Sequence, residues 1–192
     1  PIAFKEKNIL RDNDEKKFQK ELIRNIKSKT NIIVTSGAVS TGKYDFIPKI
    51  IKKLKLISYF KGAAIRPGKP VTFAKLQGNK IFFGLPGNPI SSAACFRFFV
   101  LPFLINSLGM KKEQPIFAKL KNPFFKKKFF TRFIKGKLKT TIKGIVEFEV
   151  LKGQESFRIN SFTKANSWGL FPSGKAYFKK KALIACYLSS PF

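Results

Sequence analysis

Residues 35–46, with the sequence TSGAVSTGKYDF, contain residue types that could bind an anion. They follow an apolar, β-branched run at residues 31–35, which is typical of a buried strand. Glycines let the backbone approach an anion closely, and a helix beginning near Asp45 would add free N–H groups. The residues that we expect to contact such a ligand are Ser36, Gly37, Ser40 and Gly42.

Two further loops have suitable chemistry. Lys61, Arg66 and Lys69 surround the turn RPGKP at residues 66–70, and together they form a cationic group suited to an oxyanion or to phosphates. Residues 85–91, LPGNPIS, combine prolines that make the loop rigid with groups that could donate N–H bonds to a ligand. Gly87 and Asn88 are the residues of this loop that could offer N–H groups, and Pro86 and Pro89 hold the loop rigid.

Aspartate is rare in this chain and occurs at positions 12, 14 and 45. Asp12 and Asp45 offer hard oxygen ligands of the kind that Mg²⁺ prefers. The same two residues could instead cap helices, which is the commoner use of aspartate at such places. Their positions alone leave both interpretations open.

Residues 37–44, GAVSTGKY, come within one residue of the P-loop pattern G-x-x-x-x-G-K-[ST]. Tyr44 occupies the last position, where a P-loop needs a short hydroxyl for magnesium, and no later aspartate ends an apolar strand. A P-loop nucleotide-binding protein is therefore a minor alternative. Taken by itself, the stretch could also be an ordinary loop between a strand and a helix.

Taken together, the three segments resemble the signatures of the molybdopterin molybdenumtransferases, the enzymes related to the C-terminal half of gephyrin. Residues 35–46 are similar to that family's TSGGVSxGxxD[FY], residues 66–70 to its KPGKP, and residues 85–91 to its LPGNPVS. Three motifs in the right order are far more specific than any one of them.

The resemblance implies magnesium-dependent hydrolysis of adenylylated molybdopterin, with release of AMP and transfer of molybdenum from molybdate to the dithiolene. It implies catalytic roles for Asp12, Asp45, Lys61 and Arg66, of which Asp12 and Asp45 would also bind the metal. Gln154–Ser156 resembles the family's QGS, and Ala165–Asn166 resembles its AN pair. The implied cofactor-binding residues are Ser36, Gly37, Ser40, Gly42, Lys69, Pro86, Gly87, Asn88, Pro89 and Ser156.

Several features depart from the family's pattern. Ala38 replaces a loop glycine, Arg66 replaces a lysine, and Glu155 replaces a glycine and brings negative charge near the expected oxyanion site. The chain also lacks the family's upstream TGDE-type acidic segment and its N-terminal domains. We therefore expect a C-terminal piece of the enzyme, and a homodimer for the full-length protein.

The composition is strongly basic: 39 Lys and Arg against 10 Asp and Glu give a net charge of +29, without any histidine. Such a balance favours nucleic acid or an anionic membrane as a partner. However, the lysines occur in every segment and accompany an excess of Phe, Ile and Asn, as genome-wide compositional drift would produce. Since no nucleic-acid-binding signature is present, we do not expect nucleic acid to be the main partner.

Apolar periodicity predicts alternating helices and strands up to residue 108. The expected elements are a helix with the stripe Phe18, Leu22 and Ile26 capped by Asp12 or Asn13, a strand at 31–35, a helix at about 45–56, strands at 58–65, 70–76 and 80–84, and an apolar helix at 90–108 kinked at Pro102. This order predicts a mostly parallel sheet with helices on both faces.

After residue 109 the pattern changes to short strand-like runs, such as 144–151 and 182–188, which predict a small β-barrel. The predicted fold class is thus α/β: a three-layer α/β/α molybdopterin-binding domain, residues 1–110, incomplete at its N-terminus, followed by a C-terminal β-barrel domain, residues 115–192. Residues 110–115 are the expected linker, and the family resemblance implies the same arrangement.

Cys95 and Cys186 lack the spacing and the histidine partners of a zinc site or a nucleophile, so we interpret them as buried apolar residues of a reducing compartment. The apolar segment 90–108 contains Arg97 and Asn106, which favours a buried helix over a membrane span. We expect a cytoplasmic protein without a membrane partner. The main alternative function is a non-catalytic molybdopterin-binding or scaffold module.

Overall fold

The computed structural model describes residues 9, 14–39, 46–54 and 56–190. The elements of the first part of the chain are α1 (Glu15–Lys27), β1 (Ile32–Ser36), α2 (Ile47–Lys53), β2 (Ile57–Lys61), β3 (Ile65–Arg66), β4 (Thr72–Lys75), a one-turn 3₁₀ helix (Gln77–Asn79), β5 (Ile81–Leu85), α3 (Pro89–Cys95), a π-helical segment (Phe96–Val100) and α4 (Leu101–Ser107).

Four strands form a sheet in the order β1-β5-β4-β2. β1 is parallel to β5, whereas β4 is antiparallel to both of its neighbours. The prediction of a mostly parallel sheet is therefore wrong for these strands. The connections at residues 62–71 and 76–80 are too short for the helical crossover that joins parallel strands, so the chain reverses direction at each of them.

Helices cover both faces of this sheet, as predicted. On one face Leu22 of α1 and Ile50 of α2 are buried against Phe82 of β5. On the other face Ile90 of α3 is buried with Phe83. Because side chains alternate across a strand, the adjacent Phe82 and Phe83 anchor opposite layers.

The predicted stripe of α1 is confirmed, since Phe18 and Leu22 are buried, but the predicted cap is wrong. Asp14 is the residue that caps the helix, and its Oδ1 accepts a hydrogen bond from the backbone N–H of Lys17 at 2.9 Å. Asp12, Asn13 and Asp14 are all of residue types that can cap a helix. Asp14 directly precedes the first helical residue, and only the residue at that position caps the helix.

The predicted strand at 58–65 is interrupted: β2 ends at Lys61, and β3 is a separate strand of two residues. Gly62 has φ +90, a backbone conformation that ends β2 there. The backbone N–H groups of Gly62 and Ala63 donate to the carbonyls of Val71 and Lys69 at 2.7 and 2.8 Å, which folds the chain into a turn.

The predicted apolar helix is one continuous helical run, Pro89–Ser107, and its kink at Pro102 remains a prediction. Leu101 donates its N–H to the carbonyl of Phe96, five residues earlier, so a π-helical segment directly precedes the proline. By length and composition this run could cross a membrane, which is weak evidence from a single helix. Ile90 and Val100 of this run are buried in the core.

The second part of the chain consists of β6 (Ile116–Leu120), β7 (Phe124–Phe125), β8 (Thr131–Thr140), β9 (Val146–Val150), α5 (Ile159–Thr163), β10 (Ser167–Phe171), β11 (Tyr177–Phe178) and β12 (Leu183–Leu188). The pairing order β10-β12-β6-β9-β8, with β8 pairing back to β10, closes a five-stranded barrel. The predicted β-barrel is therefore confirmed. The short helix α5 was not predicted, because five residues carry too little periodicity to be recognised.

The barrel interior is filled by side chains, with Phe148 at its centre. Gly136 and Gly169 leave the space for that ring, because a Cβ on either glycine would lie closer than 3.0 Å to Phe148. The barrel is thus a packed core rather than a ligand cavity.

Residues 110–115 form neither helix nor strand, as expected of the predicted linker, although the division into two domains remains a prediction. Contacts join the two parts of the chain. The buried Arg97 donates from Nε to the carbonyl of Leu188 at 2.9 Å and forms an ion pair with Glu113 at 2.6 Å. Phe98 stacks on Phe133 with ring centroids 3.9 Å apart.

Candidate functional site

The three motif loops lie at one edge of the sheet. Lys61 is in register with Thr72, Thr72 with Gly84, and Gly84 with Thr35. Since β1, β5 and β2 run in the same direction, their carboxyl ends share this edge, and Lys61 lies about 14 Å from Thr35, or three strand spacings. The structure therefore brings together the segments that the sequence separates by up to fifty residues.

The loops after β1 and β5 contact each other through two glycines. Gly37 donates its N–H to the carbonyl of Leu85 at 2.9 Å, and a Cβ on Gly87 would lie 3.4 Å from the Cα of Gly37. Gly37 has φ +95 and Ala38 has φ +54, so two successive residues adopt backbone conformations that favour glycine. This turn explains why the family's pattern has a glycine where this chain has Ala38. A backbone with φ +54 is strained for alanine.

Asn88 has a structural role that its position in the motif does not reveal. Its Oδ1 accepts a hydrogen bond from the N–H of Ser91 at 3.2 Å and so caps α3, with Pro89 in the first turn. The side chain is thereby committed to the helix, and Pro86 is buried beneath the loop. Ligand binding by Asn88 and Pro86 remains a prediction.

A cleft of about 740 Å³ opens between this edge of the sheet and the second part of the chain. Its walls are largely apolar and aromatic, with serine hydroxyls at the rim, which is the usual composition of a small-molecule site. The lining includes Ser36, Gly87 and Pro89 from the motif loops, Phe96 from the helical run, and Phe162 and Trp168 from the second part. Three of the predicted ligand-binding residues thus line one cleft.

The RPGKP turn is held from two sides. Gly68 has φ +104, and no side chain fits at this position, because a Cβ there would overlap the sulfur of Cys95 in α3. On the other side, Arg66 of β3 pairs in parallel with Arg132 of β8, and its guanidinium lies 4.5 Å from the centre of the Phe130 ring. Lys61, Arg66 and Lys69 are all exposed, so their charges can reach a ligand.

Arg132 is a candidate site residue that sequence reasoning missed. It is half-buried, and its Nε is buried without a hydrogen-bond partner among the described residues. Burial lowers the pKa of Arg132, the like charge of Arg66 lowers it further, and Glu155 raises it. A second cation, Lys126, is buried beside it, where burial and Arg132 lower the pKa of its ammonium. Two arginines and a lysine thus concentrate positive charge at a point where an anion would be stabilised.

Glu155, where the sequence departs from the family's pattern, raises the pKa of Arg132 through the opposite charge of its carboxylate. Ser156, the next residue, is half-buried, and the loop that carries it lies beside this cationic cluster. The neighbouring Gln154 is structural: its amide bonds the backbone N–H and carbonyl of Lys135 at 3.0 and 2.8 Å. Asn166 makes the same pair of bonds to Leu138. The QES and AN segments therefore shape the barrel strands.

Four predicted site residues lie outside the described part of the chain: Asp12, Ser40, Gly42 and Asp45. They include both predicted magnesium ligands. Among the described residues, no group of three or more His, Cys, Asp or Glu could hold a metal ion. The described part of the site is therefore cationic and fits an oxyanion, and the magnesium site remains a prediction based on Asp12 and Asp45.

The fold and these loops define the class of protein. Residues 2–106 match the family model described as a probable molybdopterin binding domain, and the chain belongs to that family. Among curated proteins, the molybdopterin molybdenumtransferase of Haemophilus influenzae is 34% identical over 82% of this chain, and that of Synechocystis is 29% identical over 92%. The chain spans about two fifths of the length of these relatives, at 39% and 43%.

Solved structures show the same fold. A molybdopterin biosynthesis MoeA protein from Pyrococcus horikoshii superimposes with a TM-score of 0.71 at 23% identity, covering 94% of this chain and 42% of that one. A molybdenum cofactor biosynthesis protein from Pyrococcus furiosus gives a TM-score of 0.67 at 18% identity, covering 91% and 54%. The α/β and β-barrel architecture is therefore that of proteins with these names.

Proposed function

We propose that this chain carries part of an enzyme site at which molybdenum from molybdate is inserted into adenylylated molybdopterin with release of AMP. The observation that carries the proposal is the meeting of three family motifs at one sheet edge, beside the paired arginines Arg66 and Arg132. The family match and the curated relatives support molybdenum cofactor biosynthesis as the process.

In this proposal the cleft between the motif loops and the barrel binds the pterin nucleotide. Its aromatic walls, including Phe96 and Trp168, suit a flat heterocycle, and Ser36 and Gly87 lie where polar groups of the ligand would enter. The cations Lys61, Arg66 and Lys69, with Arg132, neutralise the charge of molybdate and of the phosphates. Guanidinium groups are well suited to this task because they offer donors in a fixed planar fork.

Chemically, water attacks the adenylyl phosphate, the bond to the pterin phosphate breaks, and AMP leaves. The two sulfurs of the dithiolene bind molybdenum and give up their thiol protons, and one molybdate oxygen leaves with these two protons as water. Molybdate and the molybdopterin phosphate are both anions, so catalysis requires cationic groups that offset the repulsion between them. Mg²⁺ held by Asp12 and Asp45, a homodimer and a cytoplasmic location belong to the proposal as predictions from the family resemblance.

The test combines calorimetry of adenylylated molybdopterin and molybdate with chromatographic detection of AMP. The variants are Arg132→Gln and Arg66→Gln, with Lys143→Gln, an exposed loop residue of the same charge, as the control. Loss of one charge-assisted contact is expected to cost about 1.5–3 kcal/mol, or roughly ten- to hundredfold in molybdate affinity. Lys143→Gln should behave as wild type.

The outcomes separate the candidate functions. Binding of the pterin without AMP release, with and without magnesium, would favour the non-catalytic binding module. A folded chain that binds neither the pterin nor molybdate would refute the proposed site. Equal weakening by Lys143→Gln would show that net charge, rather than the arginine pair, governs binding.

A further inference from the structure

Arg97 is a buried arginine in the π-helical segment, with 5% of its surface exposed. Its Nε donates to the backbone carbonyl of Leu188 at 2.9 Å, and its Nη2 forms an ion pair with Glu113 at 2.6 Å. Leu188 is the last residue of β12, and Glu113 lies in the predicted linker at residues 110–115. One guanidinium therefore joins the helical run to the linker and to the end of a barrel strand.

Two aromatic rings stand next to this guanidinium. Its central carbon lies 5.6 Å from the ring centre of Phe98 and 5.7 Å from that of Tyr187. The two rings are themselves in contact edge to face, with their centres 5.5 Å apart. Aromatic faces attract a cation, so the rings hold the guanidinium in addition to its hydrogen bonds. Removing one partner of a buried ion pair of this kind is strongly unfavourable, because the other is left without its contact.

The same arginine lines the cleft in which the proposed function places the pterin nucleotide. Phe96 and Leu101, at the two ends of the π-helical hydrogen bond, line the cleft with it. Such π-helical turns are frequent at functional sites, where they change the direction in which a helix presents its side chains. Arg97 thus belongs both to one wall of the cleft and to the junction between the two parts of the chain.

The end of β12 continues directly into the wall that the second part of the chain provides. Ser189 and Ser190 follow Leu188, and both line the cleft. Ser189 donates its N–H to the carbonyl of Asn166 at 2.9 Å, which ties it to the residue that precedes β10. The hydrogen bond from Arg97 to the Leu188 carbonyl therefore holds this wall to the helical run at a point next to the cleft.

We propose that Arg97 is a positioning residue that sets the width of the cleft, by holding residues 188–190 against the helical run. The inference rests on the proposed function, because the ligand of the cleft is the pterin nucleotide of that reaction. Nε and Nη2 are both bonded within the protein, so Arg97 acts on the ligand through the walls of the cleft. A wider cleft would bind a flat heterocycle more weakly, since a small-molecule site needs contact from several sides.

The experiment uses the single tryptophan of the chain. Trp168 is buried and lines the cleft, so quenching of its fluorescence by acrylamide reports how far the cleft is open, without any ligand. The affinity of the same samples for adenylylated molybdopterin is measured by calorimetry. Urea unfolding shows that each variant is folded.

Four variants of the full chain are compared. Arg97→Met keeps the apolar stem and removes the donors, whereas Arg97→Lys keeps the charge without the planar fork that reaches two partners. Glu113→Gln keeps an acceptor oxygen and removes only the charge, so it tests the same junction if Arg97→Met fails to fold. Arg24→Met is the matched control, because Arg24 pairs with Glu21 at 3.5 Å on α1, where its side chain is 72% exposed.

Arg97→Met is expected to increase the quenching of Trp168 and to weaken the binding of adenylylated molybdopterin about tenfold, because misplaced wall residues no longer contact the ligand. Arg97→Lys and Glu113→Gln should change both quantities in the same direction by less, since each keeps one of the contacts. Arg24→Met, which removes the same charge, should change neither quantity.

Weaker binding by Arg97→Met with unchanged quenching would overturn the positioning role, because Arg97 would then act on the ligand directly. Increased quenching with unchanged affinity would overturn the role of the cleft width in binding. A wild-type chain that does not bind adenylylated molybdopterin would overturn the proposed function and, with it, this role at the ligand. The quenching of Trp168 still shows in that case whether Arg97 holds the cleft, so the two failures are distinguishable.

Discussion

Gly68→Ala should destabilise the chain through two separable effects. The first is backbone strain, because φ +104 is unfavourable for a residue with a Cβ and costs about 1–3 kcal/mol. The second is overlap of the new methyl group with the sulfur of the buried Cys95, which costs about 1–3 kcal/mol in a packed core. The other neighbours, Ile65 Cδ1 and the Ser91 carbonyl, lie at 3.4 and 3.6 Å and add no overlap. The expected loss is therefore about 4 kcal/mol of unfolding free energy.

The assay is urea unfolding of Gly68→Ala, Cys95→Ala and the double variant. Removing the sulfur relieves the overlap, so the two changes should couple by about 1–3 kcal/mol. Gly109→Ala is the control for strain alone, because Gly109 has φ +67 and nothing lies within 4 Å of a Cβ there. The reasoning is refuted if Gly68→Ala costs no more than Gly109→Ala, or if the double variant shows no coupling.

Four further outcomes are expected. Ala38→Gly should raise the unfolding free energy by about 0.5–1 kcal/mol, since relief of strain at φ +54 exceeds the entropic cost of glycine; a loss of stability in urea unfolding would contradict this. Asn88→Ala should lower it by about 1 kcal/mol through loss of the α3 cap, measured by the same assay. Burial raises the pKa of Cys95 and Cys186 to about 12, so neither thiol should react with iodoacetamide at pH 8 in the folded chain. Because the pKa of each thiol in the folded chain lies above its ordinary value of 9.0, the stability that the buried thiol contributes is complete below pH 9 and is lost between pH 9 and 12, by about 1.4 kcal/mol per pH unit.

The spacing of apolar residues along the chain predicted the layers of the fold well, because it depends directly on which side chains are buried. The stripe of Phe18 and Leu22 fixed α1, and the change to short alternating runs after residue 109 identified the barrel. Strand direction could not be predicted in the same way. The reversal at β4 depends on the length of two connections and on turn conformations, which apolar patterns do not record.

The motifs predicted candidate residues that the structure places at one cleft, whereas cationic residues outside any motif could not be singled out from the sequence. Ser36, Gly87 and Pro89 meet at one cleft, as their motifs imply. Arg132 and Lys135 stand in a strand without any motif, in a chain where lysine and arginine are common everywhere. Only their burial and the groups around them distinguish these two residues, and no local pattern contains that information.

The two-residue strand β3 has a consequence for the arginine pair. Arg66 and Arg132 are neighbours in a parallel ladder, so their backbones are held about 4.8 Å apart, and two like charges face the same space. A ladder cannot be stretched gradually, since its hydrogen bonds permit one register and a slip of one residue would turn Arg132 to the opposite face. The barrel strand β8 therefore fixes the register in which the two arginines stand side by side, and a substitution that shifts β8 would move Arg132 relative to Arg66.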